Sequence, residues 1–202
     1  VLYDPQKEIR EEIGKEIEKK ENRMLIKPYD DYDIIAGQGT AGYEISQDLA
    51  NLSITPDIYL CCCGGGGLVA GTSTYLKYKY PNIKSFAVEP YGFDDTKISL
   101  INKKIISNKP GFSSICDAII TPQPGQLTFP INLKTLSGGI VVEDDEVKNS
   151  IKLLSEHLKI VVEPGGAVAA TAALTKKIDL KNKTVVVMIS GGNIDLDKFS
   201  SL

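Results

Sequence analysis

Ile58-Tyr59-Leu60-Cys61-Cys62-Cys63-Gly64-Gly65-Gly66-Gly67-Leu68 joins an unbroken apolar run to four glycines and then to a segment of helical character over residues 68–80. A continuous apolar run of this length marks a strand covered on both faces. A strand that passes through glycines straight into a helix predicts an α/β fold with a largely parallel sheet. The glycines leave several backbone N–H groups unshielded, and the helix N-terminus adds its positive dipole end. Together they form a cradle for a phosphate dianion. No Lys-Ser/Thr pair follows, so this is not a nucleoside-triphosphate loop, and a single terminal phosphate fits better. The alternative is a flexible turn, but four successive glycines cost much chain entropy.

The same alternation extends in both directions. Residues 85–88 read as a strand closed by Glu89-Pro90, and residues 184–189 as a second fully apolar strand closed by Ser190-Gly191-Gly192-Asn193. Residues 143–159 and 165–177 read as helices, the first with acidic residues in its opening turn, which suits the helix dipole. Near the start, Asp4-Pro5 is a helix opening, and Ile9, Ile13 and Ile17 give that helix one narrow apolar stripe. Met24-Leu25-Ile26 reads as a short strand. Ile34-Ile35-Ala36 leads into Gly37-Gln38-Gly39-Thr40-Ala41-Gly42 and a helix to about residue 51, while residues 103–140 read as a loop-rich excursion. Ligands in such sheets bind outside the carboxyl ends of the strands, so the three glycine-rich segments and Glu89 are where function is sought.

Composition narrows the function classes. The chain has 202 residues with 42% hydrophobic and 24% charged residues, enough for one domain with a real core. The net charge of -3, with no like-charge block, argues against nucleic acid or an anionic membrane surface as partner. No apolar run reaches the length of a membrane span. With 4 Cys, three of them consecutive, a disulfide framework is not expected and a reducing, cytoplasmic setting is. A single His, His157, excludes multi-His metal sites and leaves a Ser-His-Asp hydrolase resting on one residue in a polar stretch, where a solvated surface position is expected.

Several motifs have competing readings. Gly37 to Gly42 satisfies G-x-G-x-x-G, with Asp57 downstream, but the preceding strand is too short for a dinucleotide site, and a tight strand-to-helix turn is the better reading. Glu89, Asp94 and Asp95 surround a strand end. On spacing alone a hard cation such as Mg²⁺ or Ca²⁺ and a helix cap are equal readings. Cys61, Cys62 and Cys63 alternate across a strand and cannot converge on one ion, so they are read as core.

As an ordered set, Pro28-Tyr29-Asp30-Asp31, Ile35-Ala36-Gly37-Gln38-Gly39-Thr40, the tetraglycine loop, Val88-Glu89-Pro90, Glu163-Pro164-Gly165-Gly166 and Ser190-Gly191-Gly192-Asn193 resemble the pyridoxal-phosphate-dependent threonine/serine dehydratases and serine racemases of fold type II, tryptophan synthase β-like. Ser113 to Ala118 and Leu127-Thr128-Phe129-Pro130 look more like the bacterial dehydratase branch. The resemblance implies that Gly64, Gly65, Gly66, Gly67 and Leu68 hold the phosphate of pyridoxal 5′-phosphate and that Ser190 hydrogen-bonds its pyridine nitrogen. It implies a divalent cation (Mg²⁺, Mn²⁺ or Ca²⁺) on Glu89, the Phe93 carbonyl and Asp95, and, more weakly, Arg10 near the carboxylate of a small amino-acid substrate.

The family's Schiff-base lysine, in Ser-x-Lys-x-Arg-Gly, has no counterpart in this sequence, and the chain opens without Met. The resemblance therefore implies that residues 1–202 are the C-terminal portion of the catalytic unit, mostly the large cofactor domain. Residues 1–27 would link it to an upstream small domain, with no C-terminal regulatory domain. The implied activity is conversion of L-threonine, L-serine or a similar β-hydroxy amino acid to a 2-keto acid and ammonia, in a cytoplasmic homo-oligomer. Serine racemisation and a non-catalytic cofactor-binding role are the alternatives.

Overall fold

The run at Ile58–Cys62 forms β1, and every residue of it is buried. In a computed structural model, which describes residues 1–2, 8 and 10–201, β1 pairs in parallel with Lys84–Pro90 (β2) on one side and with Val185–Val187 (β4) on the other. Leu136–Val142 (β3) adds to the far side of β2, giving the parallel order β3-β2-β1-β4. Register sets Leu60 opposite both Phe86 and Val187, which brings the carboxyl ends of β1, β2 and β4 together.

Helices flank this sheet. Gly67–Lys79 (α3) and Pro164–Leu174 (α7) both pack on β1. Tyr32–Asn51 (α2) lies along α3, and Asp144–Leu158 (α6) lies along α7. Asp95–Asn102 (α4) packs on β2 and β3, and Thr128–Thr135 (α5) packs on α3. Arg10–Glu21 forms α1 and Leu196–Ser200 forms α8. The core is centred on Tyr59, Leu60, Cys61, Val88, Val69, Ala167 and Val168, all fully buried. Cys62, Cys63 and Cys116 are buried free thiols like Cys61, as a core reading requires.

Four local expectations change. Gly37, Gly39 and Gly42 sit inside α2, not at a strand end. Asp31 starts this helix well before them, its side chain accepting the Asp33 and Ile34 N–H groups. Gly39 and Gly42 serve helix packing, while Gly37 faces open space: a Cβ on Gly42 would lie 2.8 Å from the Thr72 carbonyl, and one on Gly71 of α3 would run into the backbone of Ile35 and Gly39. The tight turn is overturned along with the dinucleotide reading, because the motif is the seam of two helices.

Met24 to Ile26 is not a strand, and the Leu25 N–H is taken by Glu18 Oε1 at 2.9 Å. Residues 103–140 contain α5 and most of β3. Gly139 is needed in the strand, since its Cβ would lie 2.5 Å from Lys97 Cβ on α4. Finally, β4 is shorter than its apolar sequence, although the Met188 N–H still reaches the Leu60 carbonyl at 2.9 Å. Of the first helix, Ile13 and Ile17 are half-buried, while Asp4, Pro5 and Ile9 lie outside the described residues.

Candidate active site

The four glycines connect β1 to α3 at the carboxyl end of the sheet. The Cys63 N–H closes the ladder on the Val88 carbonyl at 3.0 Å, and the next helical bond runs from Ala70 N–H to the Gly66 carbonyl. Between them, the N–H groups of residues 64–69 donate to no acceptor among the described residues. Six consecutive unpaired donors at a helix N-terminus are the arrangement an anion cradle requires.

The loop is held from behind by its carbonyls. Thr128 Oγ1 donates to the Gly65 carbonyl at 2.6 Å, and Asn132 Nδ2 to the Gly66 carbonyl at 3.3 Å. Both come from α5 and are fully buried. Asp30 Oδ1 in turn accepts the Leu127 N–H at 2.6 Å, which fixes the start of α5 against the segment before α2. A Cβ on Gly65 would run into the Tyr29 ring, and Gly66 adopts φ 90, a left-handed conformation suited to glycine. The glycines are thus demanded by the protein's own packing as well as by access to the N–H groups. Sequence motifs around residues 28–31, 64–67 and 127–130 meet at this one loop. Thr128 and Asn132 were not singled out from sequence, because their bonds span more than sixty residues.

Ser190 lies beyond β4, beside the end of β1. Its hydroxyl is exposed and accepts from Cys62 Sγ at 3.0 Å. The loop that follows is braced by Glu163, another residue missed from sequence as a site component. Glu163 Oε2 accepts the Asn193 N–H at 3.0 Å, and its own N–H donates to the Gly191 carbonyl at 3.1 Å. A Cβ on Gly191 would lie 2.5 Å from Glu163 Oε1, which accounts for the glycine there.

Glu89 ends β2 fully buried, and both its oxygens cap α4: Oε1 accepts the Thr96 N–H at 2.8 Å and Oε2 the Lys97 N–H at 2.9 Å. Asp95, also buried, gives Oδ1 to Asn108 Nδ2 at 2.6 Å, and its Oδ2 has no partner. Burial, then the charge of Asp95, pushes the Glu89 carboxyl well above the usual range. Burial, opposed by Asn108, pushes Asp95 up to about 7. The cap reading therefore falls to Glu89, while Asp94 makes no side-chain cap bond. Among the described residues no group of three or more His, Cys, Asp and Glu side chains is placed to hold a metal ion. Glu89, the Phe93 carbonyl and Asp95 supply two carboxylates at most.

Other candidates stand apart. Arg10 opens α1, which is not among the elements that pack closely on the sheet. His157 is exposed on α6. A groove of about 1060 Å³ between α2, α3 and α5 is lined by residues such as Tyr43, Tyr75 and Ile131. None of residues 64–69 lines it, and neither does Ser190.

Comparison with known proteins agrees with this geometry. The pyridoxal-phosphate dependent enzyme family matches residues 1–191. The chain is 40% identical to a serine racemase of Dictyostelium discoideum, over 96% of this chain and 60% of that protein. It is 35% identical to the catabolic L-threonine dehydratase of Escherichia coli K12, over 93% of this chain and 56% of that protein. The solved T.th. threonine deaminase superposes with a TM-score of 0.87 at 34% identity, covering 93% of this chain and 63% of that one. The chain thus spans 56–60% of the length of these two curated relatives. A parallel sheet whose central strand runs through four glycines into a helix, matched over nearly its whole length, belongs to the family of pyridoxal-phosphate dependent enzymes.

Proposed function

We propose that this chain is the cofactor-holding part of a lyase that converts L-threonine, L-serine or a similar β-hydroxy amino acid to a 2-keto acid and ammonia. The observation that carries the reading is the unbroken row of free N–H donors over residues 64–69, with the Ser190 hydroxyl, which accepts from Cys62 and donates to no described acceptor, on the neighbouring strand end. Both fit pyridoxal phosphate: Gly64, Gly65, Gly66, Gly67 and Leu68 would receive its phosphate, and Ser190 would meet its pyridine nitrogen. When bound, that group supplies an electron sink for the electrons left when the substrate's α-proton departs. A neutral hydroxyl at Ser190 keeps the sink moderate, which suits loss of a β-hydroxyl over transamination. The α5 bonds to the Gly65 and Gly66 carbonyls keep the N–H groups turned toward the ligand.

A divalent cation belongs to the same reading. Asp95 Oδ2 is buried without a partner and the charge of Asp95 adds to the cost of ionising the buried Glu89, so Mg²⁺, Mn²⁺ or Ca²⁺ held by Glu89, the Phe93 carbonyl and Asp95 would satisfy both. Arg10 near the substrate carboxylate, a homo-oligomeric assembly and the cytoplasm complete the proposal. Its support on the last point is the four free buried thiols, with no described helix long and apolar enough to cross a membrane. Racemisation is the second reading, favoured by the 40% identity to the Dictyostelium racemase.

The test incubates the complete polypeptide that carries these residues with L-threonine and L-serine and follows keto acid and D-amino acid together. Keto acid should dominate. Faster accumulation of D-serine than of pyruvate overturns the lyase reading in favour of the racemase. The 202-residue chain resembles only part of the relatives, and a lysine amine is needed to hold the cofactor aldehyde and move the α-proton. The family resemblance puts that amine upstream of the residues present here.

A further inference from the structure

We propose that Cys62 is a positioning residue for Ser190: its thiol fixes the direction in which the Ser190 hydroxyl donates, and so directs that hydroxyl's proton to the pyridine nitrogen of the cofactor. This rests on the role given to Ser190 in the proposed function. The geometry is local and specific. β1 ends at Cys62, and the parallel register of Leu60 with Val187, continued by the Met188 N–H bond to the Leu60 carbonyl, keeps Ser190 beside it. Cys62 is 4% exposed while Ser190 faces solvent, so the thiol approaches the hydroxyl from the protein side.

A serine hydroxyl has one proton and two lone pairs, and a thiol has one proton to give. With Cys62 Sγ donating to Ser190 Oγ at 3.0 Å, the serine proton cannot also point back at the sulfur. It donates to no acceptor among the described residues and is left for a ligand on the open side. A hydroxyl that must donate selects an unprotonated ring nitrogen. Alanine or valine at position 62 would fill much of the space without setting this polarity.

The reverse arrangement has Ser190 donating to a Cys62 thiolate and accepting from a protonated ring. Hydrogen bonds from Cys61, and then Ser190, draw Cys62 below the ordinary thiol range and favour it, while burial and the charge of Glu163 oppose it. The other titratable groups around Cys62 are Tyr59, Cys61 and Cys63 on its own strand and Cys116 from the loop before α5, all protonated at neutral pH through burial. No cation is among them to stabilise a thiolate, and the donating thiol follows.

The experiment uses the complete polypeptide and ¹⁵N-labelled pyridoxine 5′-phosphate, which carries the same phosphate and pyridine but no aldehyde. Its binding therefore needs only the cradle and Ser190. The ring-nitrogen chemical shift and the dissociation constant are measured for wild type, Cys62→Ala, Cys62→Ser, Ser190→Ala and the Cys62→Ala/Ser190→Ala pair. An unprotonated ring in wild type, retained by Cys62→Ser, is expected. Cys62→Ala should move the shift and weaken binding about threefold to tenfold, the worth of one neutral hydrogen bond. In the Ser190→Ala background Cys62→Ala should add nothing. A protonated ring in wild type, a Cys62→Ala variant matching wild type in both readouts, or an effect that persists without Ser190 overturns the inference while leaving the cofactor reading intact. Wild type that does not bind the probe at all overturns the cofactor reading, and this inference with it.

Discussion

Two buried polar positions decide how the site behaves at the level of single residues. Thr128 supplies the 2.6 Å bond that holds the Gly65 carbonyl, leaving the weaker Gly125 N–H contact at 3.2 Å as the other partner. Thr128→Val keeps the shape and deletes the donor. A loss of about 1–2 kcal/mol in unfolding free energy is expected, with severalfold weaker binding of pyridoxal phosphate, and Thr128→Ser should restore both. Equal phosphate affinity in Thr128→Val would mean the carbonyl anchor does not orient the cradle. The second position is Asp95, raised to about 7 by burial. Its folded-state pKa lies above the unfolded value of about 3.9, so the folded protein holds the proton more tightly. The associated stability is complete below about pH 4 and is lost as pH rises through about 7. In chelator-treated protein, the melting temperature should therefore fall across that window, and Asp95→Asn should flatten the slope by about 1–3 kcal/mol. Added Mg²⁺ should recover stability in wild type and not in Asp95→Asn; a profile unchanged by the substitution would dismiss the assignment.

At the scale of elements, the sequence was readable where a segment's structure depends on itself. The run Ile58–Cys62, its glycines and the following helix carry their own periodicity, and so do α6 with its Glu143–Glu146 capping box and α7 with Pro164 at its first turn. It was not readable where a residue answers to a distant partner. Gly37 to Gly42 matches a phosphate-loop pattern, yet Gly39 and Gly42 answer to Gly71 and Thr72 of α3, where backbone presses against backbone. β3 hid for the same reason, its Gly139 answering to Lys97. The two kinds of glycine in and around α2 give opposite predictions. Gly71→Ala would force its Cβ into the Ile35 and Gly39 backbone, and a loss above about 2 kcal/mol or failure to fold is expected. Gly37 is helical with nothing within 4 Å of its Cβ position, so Gly37→Ala should stabilise by about 0.5–1 kcal/mol. Urea unfolding of the two variants measures both. A neutral Gly71→Ala would show that α2 and α3 are not held in backbone contact.

On the proposed function, the whole molecule offers the row of free N–H donors at residues 64–69 but no lysine in the family's Ser-x-Lys-x-Arg-Gly setting. Its motifs were legible as a set because residues 28–31, 64–67, 127–130 and 190–193 converge on two adjacent strand ends, which constrains all of them together. What the sequence could not show was how they are tied, through Thr128, Asn132, Cys62 and Glu163, because each tie crosses between elements. The same separation governs activity. Holding the phosphate needs only N–H donors that this chain contains, whereas moving the α-proton needs a lysine amine beside the cofactor, and no lysine here stands in the family's Ser-x-Lys-x-Arg-Gly setting. The isolated 202-residue chain should therefore show binding without turnover: quenching or absorbance changes on adding pyridoxal phosphate, competed by inorganic phosphate, but no keto acid from L-threonine or L-serine. Co-expression with the remaining portion of the polypeptide should restore keto-acid production. Substantial turnover by the chain alone would place a competent amine among its own lysines and refute the division of labour between cradle and base.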